Sequence, residues 1–168
     1  LDDGGFLLAD GYGSFFIHRY DKDGNWISKF GGPGKGEGTF ATPHGICVDR
    51  RSGKEQVAIC DRAHHTLQFL DLKGNHKQTL TGYGLPANLD TLGKLMLVPE
   101  LHARITLLNE KNEVVVRLGD DVESLMKKKS VHRGKSDTWK NGKFVHPHDA
   151  CFAPNGDIYV AEWVQSGR

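Results

Sequence analysis

Two histidines in this 168-residue chain occupy the same place in a repeat. His44 in Thr42-Pro43-His44-Gly45 and His148 in Val145-His146-Pro147-His148-Asp149 each follow a proline at the head of a strand-like run. A third copy, Leu85-Pro86-Ala87-Asn88, carries alanine at that point. Imidazole nitrogen is a preferred ligand of zinc, and three imidazoles with a fourth position open make a catalytic centre. Two histidines at one register would be two members of such a set if the repeats wind around an axis. Tyr12 and Arg62 fall at a neighbouring register. A phenol beside a cation and a guanidinium loses its proton below its ordinary pKa of about 10 and can act as a base, and a guanidinium grips a carboxylate in a bidentate pair.

The elements that must position these groups are short strands. The turns Asp21-Lys22-Asp23-Gly24-Asn25, Asp71-Leu72-Lys73-Gly74-Asn75 and Asn109-Glu110-Lys111-Asn112-Glu113 recur between apolar runs, with Gly and Asn supplying positive φ. Each pair of runs is followed by glycine, and the next unit opens at the proline. Pro43 and Pro86 lie 43 positions apart, the length of one four-stranded propeller blade. The fold expected is an all-β propeller. Residues 5–31 hold the last three strands of one blade, 40–82 and 84–119 two full blades, and 144–168 the first two strands of another. Residues 120–143 stretch the next proline spacing to 61 positions; this segment is polar, includes Lys127-Lys128-Lys129, and has one candidate helical turn at Val122 to Met126. It reads as a solvated inter-blade loop, with a lid over the channel mouth as the alternative. About three and a half blades are accounted for, where a ring needs four to eight and an open arc leaves strand edges unpaired. Part of a larger propeller is therefore expected.

In a propeller the first strand of every blade lines the central channel, so residues that open it form a ring at one mouth. His44 and His148 are separated by one blade, a third of a turn in a six-bladed ring. A third histidine would then lie about 40 to 60 residues before Leu1 on the observed period. The loops after each second strand emerge on the same face and carry Asp10-Gly11-Tyr12-Gly13, Asp61-Arg62-Ala63-His64, Pro99-Glu100-Leu101-His102 and Glu162-Trp163. Topology thus brings Tyr12 and Arg62 to the histidine register. His146 flanks His148 as a ligand or as a partner of one. Blander readings stand beside these: a turn histidine bonded to a backbone carbonyl, a tyrosine filling the channel, and Asp61-Arg62 as a surface turn pair.

Composition narrows the field. Lys plus Arg number 22 against 21 Asp plus Glu, a formal charge of +1, so nothing in the balance argues for a nucleic-acid or lipid surface as partner. No run reads as a membrane span, and 38% hydrophobic residues suit a folded core. Cys47, Cys60 and Cys151 lie within apolar runs and are expected to be buried thiols.

These residues resemble a family. The repeats are similar to NHL repeats, and Leu7 to Asp71 with Phe144 to Trp163 resemble the lyase domain of peptidylglycine α-amidating enzymes over roughly half a propeller. The resemblance implies six blades when complete, a channel zinc held by three histidines and a structural calcium near the axis. By resemblance His44 and His148 match two zinc ligands, Tyr12 the catalytic tyrosine, Arg62 a substrate-binding arginine and Asp149 a calcium ligand. It also points to a secreted or periplasmic location. The family's methionine before Pro-His is His146 here, and its disulfide cysteines have no counterparts near Gly13, Ala58 or Phe69.

What the resemblance implies is part of a zinc-dependent lyase acting on a small-molecule or peptide substrate at the channel mouth. It would cleave the C–N bond of an α-hydroxyglycine-type carbinolamide. The rival is a non-catalytic NHL scaffold that binds a protein or glycan on its channel face. A sugar-lactone hydrolase-like propeller ranks last, since the acidic ligands for its channel calcium are not apparent.

Overall fold

The computed structural model describes residues 1–128 and 131–167. Among the described residues thirteen strands form four antiparallel sheets. The chain divides into two compact units, Leu1–Tyr83 and Gly84–Arg168.

In the first unit β1 (Phe6–Ala9), β2 (Phe16–Tyr20) and β3 (Trp26–Gly31) form a three-stranded meander. β4 (Pro43–Asp49), β5 (Gln56–Asp61), β6 (Thr66–Leu70) and β7 (His76–Leu80) form a four-stranded one. The turns work as their sequence predicts. Asp21 Oδ1 accepts from the N–H groups of Asp23 and Asn25, and Asp71 Oδ1 from those of Lys73 and Asn75, while Gly24 and Gly74 take φ of 82° and 90°. Ile17, Phe40, Val57, Ile59 and Leu70 make the core of this unit, with Leu7, Phe15, Phe30 and Ile46 packed against them. The strands nearest this core, β5 and β6, are buried almost throughout, and the outer β3 and β7 are exposed.

The second unit repeats the plan. β8 (Asp90–Leu92), β9 (Leu95–Glu100), β10 (Arg104–Leu108) and β11 (Val114–Leu118) form a meander, and β12 (Pro147–Phe152) pairs with β13 (Ile158–Glu162). Leu97, Ile105, Leu107 and Ala150 are its core, joined by Leu118, Phe144, Phe152 and Val160. β8 starts at Asp90, four residues after Pro86. Pro86 bridges to Glu100 and Ala87 N–H bonds to the Pro99 carbonyl, so Ala87 to Leu89 leave the ladder. Between the sheets, α1 (Val122–Lys128) extends beyond the single turn expected, begun by Asp120 Oδ1 accepting from Val122 N–H. Lys129 of the lysine run, the His132 side chain and Arg168 lie outside the described residues.

The cysteines differ from expectation at one position. Cys60 is buried and Cys47 half-buried, but Cys151 is exposed on β12. The cause is strand alternation: Ala150 takes the core face, so its neighbour takes the other.

The end of β4 holds a buried ion pair. Arg51 Nε and Nη2 donate to Asp49 Oδ1 and Oδ2 at 2.8 and 3.0 Å, Gln56 Nε2 donates to Oδ2 at 3.0 Å, and both charged side chains are almost wholly buried. Burial alone would raise the Asp49 carboxyl. The donors of Arg51, side chain and backbone, overcome it and hold the group below the usual carboxylate range. A depressed folded-state pKa gives stability that is present above the unfolded value of about 3.9 and is lost as pH falls through the folded one. Asp49→Asn should therefore lower the urea midpoint at pH 7 and leave a smaller loss of stability between pH 5 and pH 3 than in the parent protein. Equal acid sensitivity in the two proteins would contradict the assignment.

Candidate functional site

The proline repeat of the sequence is a hydrogen-bonded repeat in space. Pro43 pairs with Asp61, Pro86 with Glu100 and Pro147 with Glu162, the last residues of β5, β9 and β13. Each carboxylate turns back to the segment before its proline. Asp61 Oδ1 accepts from Ala41 N–H at 2.9 Å and Thr42 N–H at 3.3 Å. Glu162 Oε2 accepts from Val145 N–H at 2.6 Å and His146 N–H at 2.9 Å, and Glu100 Oε2 accepts from Gly84 N–H at 2.5 Å. The next residue completes the clasp: Arg62, Leu101 and Trp163 donate their N–H groups to the carbonyls of Thr42, Leu85 and His146. Asp61 and Glu100 are fully buried, so their charges rest on these donors, helped by Gln68 and His64 for Asp61 and by Arg104 and Thr106 for Glu100.

Directly after two of the three clasps the ladder slips. The register shifts between Pro43 and Ile46 and between Pro147 and Asp149, placing His44 and His148 in equivalent bulges. A bulge re-aims a side chain away from the regular pleat, which is why the histidines need not follow strand alternation.

In the first unit three predicted residues come together. Arg62 Nη1 donates to Tyr12 Oη at 2.8 Å, and the Tyr12 ring stands edge-on to His44 with centroids 5.8 Å apart and planes at 88°. Arg62 is placed by the clasp and by a 3-10 turn, Arg62–His64, that ends on His65 at φ 59°. Tyr12 sits on a turn fixed by Asp10, whose Oδ2 accepts from Ser14 N–H at 2.6 Å. That turn lies so close to the strand opening that a Cβ on Gly11 would come within 2.8 Å of the Pro43 carbonyl oxygen, so only glycine fits. Burial pushes the Arg62 guanidinium below the usual arginine value, with the Tyr12 oxygen pulling the other way. Even so, arginine keeps its charge at neutral pH. Tyr12 is 78% exposed, an open phenol rather than a packed one.

In the second unit His148 lies beside Trp163, with ring centroids 6.3 Å apart. The Arg133 guanidinium stacks on the Trp163 ring at 3.2 Å. Asp149 Oδ1 accepts from Asn88 Nδ2 at 2.6 Å and from Ala150 N–H at 2.8 Å. His146 Nδ1 donates to the Leu101 carbonyl at 2.6 Å. His44 thus belongs to one unit and His146, His148 and Asp149 to the other. Among the described residues no three His, Cys, Asp or Glu side chains group to hold a metal ion, and no helix is long and apolar enough to cross a membrane.

The whole chain matches a protein of unknown function from Bacteroides caccae at 18% identity and a TM-score of 0.63, covering 56% of that protein. With virginiamycin B lyase from Staphylococcus aureus the identity is 9% over 98% of the chain, with a TM-score of 0.63 and 50% of that protein covered. A streptogramin B lyase structure matches over 96% of the chain at 11% identity and a TM-score of 0.57, with 51% of that protein covered. The fold is a β-propeller. The chain spans about half the length of these solved structures. No protein-family model and no curated protein matches the chain by sequence.

Sequence reading passed over the clasp carboxylates as anything more than loop residues. Their signal was present: an acid closes the second strand of three of the four sheets, at Asp61, Glu100 and Glu162, and Asp10 follows β1 likewise. Removing one acceptor leaves two backbone donors unpaired at about 1–3 kcal/mol each, so Asp61→Ala should cost about 3 kcal/mol in urea unfolding. A loss below about 1 kcal/mol would show that the clasp is not what holds Arg62 in place.

Proposed function

We propose that the complete protein is a metal-dependent, lyase-like propeller, six-bladed and of the NHL type, that cleaves the C–N bond of an α-hydroxyglycine-type carbinolamide. The observation that carries the reading is the Arg62–Tyr12 hydrogen bond of 2.8 Å with His44 edge-on to the same phenol. A base, a carboxylate-binding cation and an imidazole ligand on one surface are the parts this reaction needs. The resemblance of the Pro-His, Asp-Gly-Tyr and Asp-Arg segments to amidating lyases supports it, and two solved proteins with this fold are named lyases.

The donor chemistry fits zinc in kind. His44 and His148 sit in equivalent bulges and would serve as two of its ligands, with a further ligand from outside residues 1–168. Zinc, when bound, would supply Lewis-acid charge that acidifies the substrate hydroxyl. Asp149 with Asn88 would give calcium the oxygen ligands it prefers once the Asn88 amide is turned.

The chain's own residues would then act in order. Arg62 binds the substrate carboxylate and, through its bond to Tyr12, fixes the distance between carboxylate and base. Tyr12 Oη accepts the hydroxyl proton. The C–O bond becomes a carbonyl, the C–N bond breaks with its electrons passing to nitrogen, and Tyr12 returns the proton there. The products are an amide and glyoxylate, and no oxidant is consumed.

Glyoxylate release by the full-length protein tests this. Tyr12→Phe should lower kcat by about 10²- to 10⁴-fold, the usual weight of a positioned acid–base group. His44→Ala should abolish turnover and reduce bound zinc measured by elemental analysis. Turnover unchanged in both variants would overturn the proposal and favour a binding scaffold.

A further inference from the structure

We infer that a cavity in the first unit, beside the Asp61 clasp, binds the phosphate group of a small phosphomonoester or of free phosphate. The cavity holds about 460 Å³, and its lining includes Lys35, Glu37, His64, Thr66, Gln68 and Thr79. Every one of these side chains is polar, so an apolar ligand finds little here to pack against.

The groups already engaged decide the ligand by elimination. Gln68 is fully used: Oε1 accepts from Gly38 N–H at 2.9 Å, and Nε2 donates to the Thr39 carbonyl at 2.8 Å and to Asp61 Oδ2 at 3.1 Å. Those bonds also dock the loop that carries Lys35 onto β6. Thr79 Oγ1 bonds His76 Nε2 at 2.8 Å, and the Glu37 carboxylate lies 3.4 Å from His76 Nδ1, a residue outside the lining. Three groups are left. Thr66 Oγ1 is the one buried hydroxyl among the described residues without a hydrogen-bond partner. The Lys35 ammonium forms no ion pair among the described residues. His64 donates Nδ1–H to Asp61 Oδ2 at 2.7 Å, since a carboxylate has only acceptors to offer, and this leaves Nε2 as its open nitrogen.

The other four-stranded sheet closes the equivalent position. Opposite Glu100 on the ladder stands Arg104, whose guanidinium bonds Glu100 itself at 2.9 and 2.8 Å. Opposite Asp61 stands Thr66, which bonds nothing. A buried hydroxyl left so carries a desolvation cost that a ligand oxygen relieves. An ammonium, a hydroxyl and an imidazole nitrogen together match a negatively charged group with several oxygens. Phosphate gives one acceptor oxygen to Lys35 and one to Thr66, and a third oxygen that either donates a hydrogen to Nε2 or accepts one from it. A carboxylate, with two oxygens, cannot serve all three separately. The volume exceeds what one phosphate needs and falls within the range of about 300–1,000 Å³ for small-molecule sites, so a small polar ester group has room beside it.

The inference rests on no part of the lyase reading, and its test is binding. Titration calorimetry on the full-length protein, at constant ionic strength in chloride, uses inorganic phosphate and glycerol 3-phosphate as probes. At least one should bind one to one; tighter binding of the ester names a phosphomonoester as the ligand, and tighter binding of the inorganic anion names free phosphate. Thr66→Val should weaken binding by about tenfold, the weight of one hydrogen bond to a charged group. It should leave the urea midpoint of the ligand-free protein unchanged or raised, because the hydroxyl it removes has no partner. Lys35→Gln should weaken binding by about threefold, as loss of an exposed ion pair does, and at an exposed position it leaves the fold intact. Arg62→Gln should keep the affinity, which separates this cavity from the Tyr12 surface. Binding of neither anion, affinity unmoved by Thr66→Val or by Lys35→Gln, a lowered urea midpoint in Thr66→Val, or loss of binding in Arg62→Gln would overturn the inference.

Discussion

Everything placed at the strand openings of this protein depends on a carboxylate that closes one strand and accepts the backbone N–H groups of the segment leading into its neighbour. Asp61, Glu100 and Glu162 each do this, and the residue after each returns an N–H to the same segment. A backbone approaching a sheet edge brings donors that must be satisfied, and a buried carboxylate needs donors as much as they need it. The two requirements meet in one contact. It fixes where each proline enters and, at His44 and His148, where the bulge begins.

Around this constant contact, two positions vary from sheet to sheet. The residue after the proline is His44, Ala87 or His148, and the residue after the acid is Arg62, Leu101 or Trp163. Because the clasp uses backbone groups on one side and a single side chain on the other, these neighbours can change without disturbing it. Chemistry can therefore differ between sheets that share one geometry. The first unit presents a guanidinium, a phenol and an imidazole, and the second an imidazole against an indole with an apolar cavity behind it.

The propeller was legible in the sequence because its determinants are local and repeated. Turns of Asp-Lys-Asp-Gly-Asn type, glycines after the outer strand and a proline opening each repeat, 43 and then 61 residues apart, each have one physical meaning, and their recurring order has one architectural meaning. The nearness of Tyr12 and Arg62 was legible for a related reason, since both lie on loops that topology sends to one face. Their direct hydrogen bond was not, because it depends on the close approach of Gly11 to Pro43 and on the rotamer of Arg62. Nor was the role of Asp61 and Glu100, for an acid at the end of a strand ordinarily reads as solvated, and only tertiary packing buries it. Cys151 failed in the opposite direction: an apolar run hid an alternation that sends every second residue outward. The wall that Leu125 and Met126 give the apolar cavity of the second unit was masked by the lysines that follow it.

The clasps are short in sequence as well as in space. Asp61 and Ala41 are 20 positions apart, Glu162 and Val145 17, and Glu100 and Gly84 16. Closing a loop of that length has a modest entropic cost, and it brings together only residues that a ribosome releases within a few seconds of one another. Each sheet can therefore lock its own entry before the next has been synthesised. Nascent chains of this protein would then emerge with each first-strand opening set soon after its own sheet is made, ahead of contacts between residues far apart in sequence.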